Sequence, residues 1–385
     1  MLEQLDTILW ADLTACNGSA APVPALLRDL LSHDFTVYEH AYDLLFHTLY
    51  NQGEVCEATV HAIPFVIEVL EQVEAIRQVD LLFLLGHVAR ASYPETYIPE
   101  LHAVERQQEE DAVRKRIQQA RQRRDAWLQH VREEVSDGYH SYLHLLTLSD
   151  TSVRVSALHT LSCCQSHAPA IVTALQEHYS DEQDLVVKAC ILLCLGELMP
   201  PGTSSTTLFT TTLTQETEHL LKVAAAMVLA KRMREATPVE ALDELLLVGE
   251  HPEFVQEEFR HVPWVVGDIM TTLSYIFRLM GLAIAPRVIP LLTRALAHVD
   301  GFYAMTFVSN LLYFTCAGKP VEKGISCDML TQTQRMVLHA LVESDQVWEI
   351  PSNINHILTR FGLPFGRDNV HAFLHPSGES GKTAG

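Results

Sequence analysis

The sequence predicts an all-α protein, a right-handed α-solenoid in which helix pairs stack into an α-α superhelix. Two observations lead to this prediction: an internal repeat with helical spacing, and a lack of alternating strand patterns bounded by hairpin dipeptides. The chain has 385 residues, of which 48% are hydrophobic. That length exceeds the roughly 100–200 residues of one compact domain, and a stack of repeats accommodates it because each repeat contacts only its neighbours.

The repeat is a helix that follows an acidic residue and carries alanine and leucine at fixed positions. Its four copies are VYEHAYDLL from Val37, VRVSALHTL from Val153, LVVKACILL from Leu185 and LKVAAAMVL from Leu221. The shared positions are Ala41, Ala157, Ala189 and Ala225, then Leu45, Leu161, Leu193 and Leu229, with the acids Asp34, Asp150, Glu182 and Glu218 three residues before each copy. An acid suits the free N–H groups of a first helical turn, and a small alanine lets a neighbouring helix approach closely. We therefore expect each copy to be the second helix of a pair, with first helices near 23–31, 139–148, 169–179, 206–213 and 239–248.

This pattern resembles the HEAT family, in which an acid is followed by V-[RK], then Ala and Leu. A closer resemblance is to a largely uncharacterised group of bacterial HEAT-repeat proteins. It rests on WADL with VPALL between Trp10 and Leu27, NQGEVCEAT with AIPF between Asn51 and Phe65, AWLQHVR with DG between Ala126 and Gly138, and WEIPSNIN with ILTRFGLP near the end. The resemblance implies an armadillo-type fold of HEAT-like helix pairs with degenerate terminal repeats, and a scaffold role rather than a reaction. The chain departs from the group at Asn51, where a histidine is expected.

Five segments are expected along the chain. They are 1–100 with N-terminal HEAT-like repeats, 101–138 as a long charged amphipathic helical segment, 139–250 with regular repeats, 251–375 with degenerate C-terminal repeats and a cap, and 376–385 as a flexible tail. The second segment carries a basic ridge at 114–124. The ridge is either a solvated helix face or a surface that docks an acidic partner.

Net charge and cysteine usage limit the class of partner and the compartment. The chain has 48 acidic and 27 basic residues and a formal charge of −21. Such a surface repels phosphate backbones and anionic lipids, which disfavours nucleic-acid and membrane partners. The first residues include Glu3 and Asp6 without a basic region, so no signal peptide is expected. The eight scattered cysteines then indicate reduced thiols and a cytoplasmic protein.

No catalytic residue, metal site or cofactor is predicted. The terminal PSGESGKT has Pro376 where a phosphate-binding loop needs glycine, and no helix follows it. His140 and His144 share a helix face, but no HExxH motif or third ligand accompanies them. A four-thiolate zinc site built from Cys163, Cys164, Cys190 and Cys194 is conceivable, yet the chain lacks a CxxC knuckle.

Two groups of residues are candidates for partner binding. Asn51, Gln52 and Glu54 surround Gly53 in a polar loop that could present donors and acceptors at a solenoid rim; the alternative is a helix-terminating turn with Gly53 as its C-cap. Tyr38, Arg154 and Lys222 hold related repeat positions, since second helices usually line the concave face where ligands lie. These three residues form either a binding ladder or solvated polar positions.

The predicted function is that of a non-catalytic scaffold or adaptor that holds a protein partner on its concave face. One alternative is a HEAT-like nucleic-acid-binding or base-repair protein, which would need a basic cleft. Another is an immunity-type inhibitor, because the acidic charge suits a basic toxin.

Overall fold

A computed structural model describes residues 2–92, 110–265, 267–299, 301–322 and 324–375. Within these residues the protein is all-α, with nineteen α-helices and one small two-stranded hairpin, so the all-α part of the prediction is confirmed. The chain divides into two compact units, Met1–Met199 and Pro200–Gly385.

The first unit is built from paired helices in two layers. Its elements are α1 (Val23–Asp29), α2 (Phe35–Leu49), β1 (Tyr50–Asn51), β2 (Glu54–Val55), α3 (Glu57–Leu70), α4 (Ala75–Ala89), α5 (Glu110–Asp137), α6 (Tyr139–Leu145), α7 (Thr151–Leu161), α8 (Ala168–Asp181) and α9 (Leu185–Leu198). Helices pair as α1 with α2, α3 with α4, α6 with α7 and α8 with α9. Along one layer α1, α3 and α5 are in contact, and α6 contacts α8; along the other, α4 contacts α7 and α7 contacts α9.

The aligned alanines and leucines form the core of the four repeat helices, but only two of the four aligned acids cap their helix. Glu218 stands at the N-cap position of the helix that follows it and makes no side-chain capping hydrogen bond. All four aligned alanines and all four aligned leucines are buried. Asp34 and Asp150 cap α2 and α7 by accepting backbone N–H groups, as the sequence predicts. In α9 the cap is Asp184, whose carboxylate accepts the N–H groups of Val186 and Val187, whereas the aligned Glu182 lies two residues earlier. Both acids could serve as caps by residue type, so the sequence spacing alone selected the wrong one.

The long charged segment contributes α5, a helix of 28 residues that spans roughly 42 Å. It packs on α3 and α4 and buries Leu128, Val131 and Val135. Of the basic ridge, the side chains of Lys115, Arg116, Arg121 and Arg123 are exposed. The preceding residues 93–109 and the predicted tail at 376–385 lie outside the described residues.

The second unit repeats the same alternation of helices. Its elements are α10 (Thr203–Gln215), α11 (His219–Met233), α12 (Val239–Glu250), α13 (Gln256–Phe259), α14 (Ile269–Leu279), α15 (Ala285–Ala295), α16 (Ala304–Thr315), α17 (Gln332–Glu343), α18 (Pro351–Arg360) and α19 (Arg367–Leu374). One layer runs through α11, α14, α16 and α18, while α10, α12, α15, α17 and α19 cover it from the other side.

Among the described helices, none by itself is long and apolar enough to cross a membrane. The segments Ile269–Leu279 and Leu282–His298 together have a suitable length and composition, but the chain bends by 118° between them.

Candidate functional site

A partly exposed group of aromatic rings covers one side of α2 and α4. We call it the aromatic surface; its members are Tyr42, Phe46, Tyr50, Phe83 and His87. The first three follow one another at intervals of four residues, and so do the last two. Residues four apart lie on the same face of a helix, so this spacing brings the rings together. The exposed side chain of Phe83 retains 50% of its accessible area.

The rings touch one another across the two helices. The centroids of Phe46 and Phe83 are 6.1 Å apart with nearly parallel planes, and those of Phe83 and His87 are 3.9 Å apart. Tyr50 closes the group, with its ring 5.5 Å from Phe46 and 5.8 Å from His87. Burial lowers the pKa of His87, and nearby Arg90 lowers it further, so the imidazole is neutral at pH 7. The result is a wide, uncharged aromatic area.

Carboxylates border these rings. Glu39 and Asp43 are exposed on α2, and Asp80 lies half-buried on α4, where its backbone oxygen accepts a hydrogen bond of 3.0 Å from the Tyr42 hydroxyl. Burial raises the pKa of Asp80, against a hydrogen bond from Tyr38 that lowers it. Residues 1–92 carry thirteen acidic residues against three arginines, a formal charge of −10. The aromatic surface therefore lies in a strongly acidic part of the chain.

Tyr38, a candidate from the sequence, lies beneath the aromatic surface and not on it. Its side chain is 1% exposed, and its hydroxyl donates to Asp80 Oδ2 at 2.9 Å. The guanidinium of Arg77 sits 4.5 Å from its ring centre, and its ring stacks on that of Tyr42 at 6.2 Å. Tyr38 thus joins α2 to α4 and supports the rings above it.

Arg154 forms ion pairs within the first unit. Its guanidinium contacts Glu182 at 2.6 Å and Asp184 at 3.3 Å, and its side chain is only 13% exposed. Burial alone would raise the pKa of Glu182, but hydrogen bonds from the backbone N–H groups of Asp184 and Gln183 and from Arg154 outweigh burial and lower it. Arg154 therefore connects α7 to the start of α9.

Lys222 is engaged in a similar way within the second unit. Its Nζ lies 2.8 Å from Glu244, a residue of α12 whose side chain is nearly buried. His219 Nδ1 approaches the other oxygen of the same carboxylate at 2.7 Å. Lys222 thus joins α11 to α12.

The polar loop at Asn51, Gln52 and Glu54 is a β-hairpin, a feature that the sequence pattern did not predict. Tyr50 pairs with Val55, and Asn51 with Glu54, around a two-residue turn. Both turn residues have left-handed backbones, with φ of +50° at Gln52 and +94° at Gly53, the geometry that matches strand twist in tight hairpins. The turn therefore reverses the chain after α2, and Gly53 is not a helix C-cap.

Packing fixes the position of this hairpin beside the aromatic surface. The Ser92 N–H donates to Gly53 O at 3.0 Å, and Glu54 lies 3.8 Å from Arg124 of α5. Asn51 and Gln52 are exposed at its tip. Tyr50 belongs to both features, so the predicted loop residues and the rings form one continuous region.

Several cavities lie elsewhere in the described parts of the chain, and histidines line two of them. One of about 590 Å³ in the second unit is lined by His251, Met270, Leu291, Arg294 and His298 together with neighbouring side chains. Another of about 510 Å³ in the first unit is bordered by His140 and His144. Over the described residues, no group of three or more His, Cys, Asp or Glu side chains could hold a metal ion, which includes the four cysteines considered above.

No protein-family model matches the chain, and no curated protein is significantly similar to it. Sequence reasoning missed Tyr42, Phe46, Phe83 and His87, although a signal was present. Tyr38, Tyr42, Phe46 and Tyr50 recur every four residues, which places three rings along one side of α2 and the fourth directly after its last residue.

Proposed function

We propose that this protein is a non-catalytic α-solenoid adaptor of the HEAT type that binds a basic protein partner through its aromatic surface. The observation that carries the proposal is the group of touching, partly exposed rings bordered by carboxylates. Contiguous exposed apolar areas with a polar rim are typical of interaction sites, and aromatic residues dominate the binding energy of protein interfaces.

The solenoid part of the proposal is supported by the packing within each unit. In both units most successive helices pair, and each pair contacts the next through at least one of its helices. Such stacking lets every helix cover the apolar side of its neighbours, which a quasi-one-dimensional architecture requires. The aromatic surface lies on α2 and α4, which are the second helices of their pairs, the position where a solenoid is expected to face its partner.

The basic character of the partner follows from charge and ring chemistry. A segment with a formal charge of −10 attracts cationic proteins and accelerates their association. Arginine and lysine side chains also bind favourably over aromatic faces, especially where water is excluded. Nucleic acid would meet repulsion from the same carboxylates.

A matched pair of alanine substitutions tests this proposal. The full-length chain carrying Phe83→Ala is compared with Phe302→Ala, which removes an aromatic side chain that is 71% exposed in the second unit. The probe is a fluorescent arginine-rich peptide, and its Kd is measured by anisotropy at two salt concentrations. We expect Phe83→Ala to weaken binding about tenfold, equivalent to about 1.4 kcal/mol, and Phe302→Ala to change it less than twofold.

Equal effects of the two substitutions would reject the aromatic surface, because they would mean that general negative charge alone attracts the peptide. A peptide of the same length rich in glutamate provides the charge control and should not bind. Circular dichroism verifies that both variants remain helical; Phe83 is half-exposed, so its removal leaves the core intact.

A further inference from the structure

Two cysteines that are far apart in sequence meet below the hairpin. Cys16 lies in the segment before α1, and its N–H and Sγ donate to Thr48 O at 3.0 Å and Leu49 O at 3.2 Å. The Sγ of Cys56 lies 3.6 Å from the same Thr48 oxygen. Both side chains therefore converge on two adjacent carbonyls at the end of α2. The Thr59 hydroxyl connects the two positions, because it lies 3.2 Å from the Cys56 Sγ and donates to the Leu49 carbonyl at 2.6 Å.

The two thiols differ in their surroundings. Cys56 occupies the N-cap of α3, where its sulfur accepts the Thr59 N–H while its own N–H donates to Thr59 Oγ1 at 3.0 Å. Helix N-caps are usually Ser, Thr, Asp or Asn, and a cysteine there has its thiolate favoured by the helix dipole. The neighbouring Cys16 thiol, together with hydrogen bonds from Thr59, outweighs burial and lowers the pKa of Cys56. In Cys16 the neighbouring Cys56 and burial raise the pKa, so this thiol keeps its proton.

We propose that Cys16 and Cys56 form a redox-active pair in which hydrogen peroxide oxidises Cys56 and Cys16 then closes an intramolecular disulfide. In the first step the Cys56 thiolate attacks one peroxide oxygen, the O–O bond breaks, and hydroxide leaves a sulfenic acid on Cys56. In the second step the Cys16 sulfur attacks the Cys56 sulfur, the S–O bond breaks, and the released hydroxide takes up the Cys16 proton. In total, two thiols lose two electrons and two protons, and one peroxide becomes two waters.

The burial of the pair favours peroxide over a bulky disulfide as the oxidant. Cys56 is 3% exposed, which admits only a small molecule, whereas Cys16 is partly exposed in its loop. The other thiols considered for chemistry are poorer nucleophiles. Burial raises the pKa of Cys163 to about 11, and it raises the pKa of Cys190 and Cys194 well above its usual value. Peroxide should therefore select Cys56.

The test treats the full-length, reduced protein with a small excess of hydrogen peroxide and follows it by intact mass and peptide mapping. The wild type should lose the mass of two hydrogen atoms, yield a linked pair of peptides containing Cys16 and Cys56, and return to the original mass with dithiothreitol. The rate of linkage should rise with pH as the Cys56 thiolate forms, and because the pKa of Cys56 is lowered, the rise should be complete below the pKa of an ordinary thiol. Linkage between other cysteines, or no linkage before over-oxidation, would overturn the proposal.

Three serine variants separate the roles of the thiols. Cys16→Ser should stop at the sulfenic acid and label with dimedone on Cys56, whereas Cys56→Ser should give neither product at either position. Cys163→Ser, which removes another partly exposed thiol, should form the disulfide at the wild-type rate. If dimedone labelled Cys16 in the Cys56→Ser variant as fast as it labels Cys56 in the Cys16→Ser variant, the assignment of Cys56 as the reactive sulfur would be wrong. The wild-type mass and pH measurements stand even if a variant folds poorly.

Discussion

Replacing Tyr38 by phenylalanine distinguishes a structural role of this residue from the partner-binding role that the sequence predicts. The change removes only the hydroxyl, which donates to Asp80 Oδ2 at 2.9 Å. The ring, its stacking on Tyr42 and the Arg77 guanidinium above it are retained. Any effect therefore reports the hydrogen bond that joins α2 to α4.

The expected loss of unfolding free energy is about 1.5 kcal/mol at pH 7. Hydrogen bonds to charged groups contribute about 1.5–3 kcal/mol to stability. Because Asp80 is only half-buried, water can replace part of the lost hydrogen bond in the variant, so we expect the lower end of this range. The loss should shrink at lower pH. Burial raises the pKa of Asp80, so folding is favoured as the pH falls through the folded-state pKa. Without Tyr38 that pKa rises further, so the variant gains more stability than the wild type on acidification.

Urea denaturation followed by circular dichroism at pH 7 and near pH 4 measures both quantities. Tyr42→Phe is the matched control, since its hydroxyl donates to the neutral backbone oxygen of Asp80 at 3.0 Å. It should cost about 0.5–1 kcal/mol with little pH dependence. Equal, pH-independent losses in the two variants would refute the reasoning, as would a larger loss of peptide binding for Tyr38→Phe than for Phe83→Ala.

Two further substitutions test the packing around the site. Glu182→Gln should cost about 2–3 kcal/mol at neutral pH, because the nearly buried Arg154 keeps only Asp184 as its partner. The pKa of Glu182 is lowered in the folded state, so the stability advantage of the wild type is complete above about pH 4.5 and is lost as the pH falls through the lowered pKa. Urea denaturation at several pH values measures this advantage. A difference between the urea midpoints that does not change with pH would contradict the prediction. Gly53→Ala should lower the free energy of unfolding by about 1–2 kcal/mol, because φ is +94° and the new Cβ would lie 3.2 Å from Ser92 O. Thermal unfolding measures the change. An unchanged Tm would show that the hairpin turn relaxes freely.

The repeat positions and the hairpin show how far the structure could be predicted from the sequence. The repeated alanines and leucines indicated buried helix faces correctly, because burial follows from spacing along a single helix. The sequence also marked the region around Asn51 to Glu54, but it described a loop where a hairpin forms. A left-handed Gln52 is unusual for that residue type, and here the contact between Gly53 and Ser92 helps to hold the turn.

The sequence by itself determined the helical class, the repeated core positions and the acidic charge, because each depends on residue type or on neighbours within a few positions. Only the tertiary structure decided which side chains come together: Phe46 with Phe83, Tyr38 with Asp80, and Cys16 with Cys56 at the last carbonyls of α2. Helical periodicity specifies which face of a helix is buried. The residue that faces it across the next helix depends on how loops and packing set the register between helices, and that information is absent from any single segment.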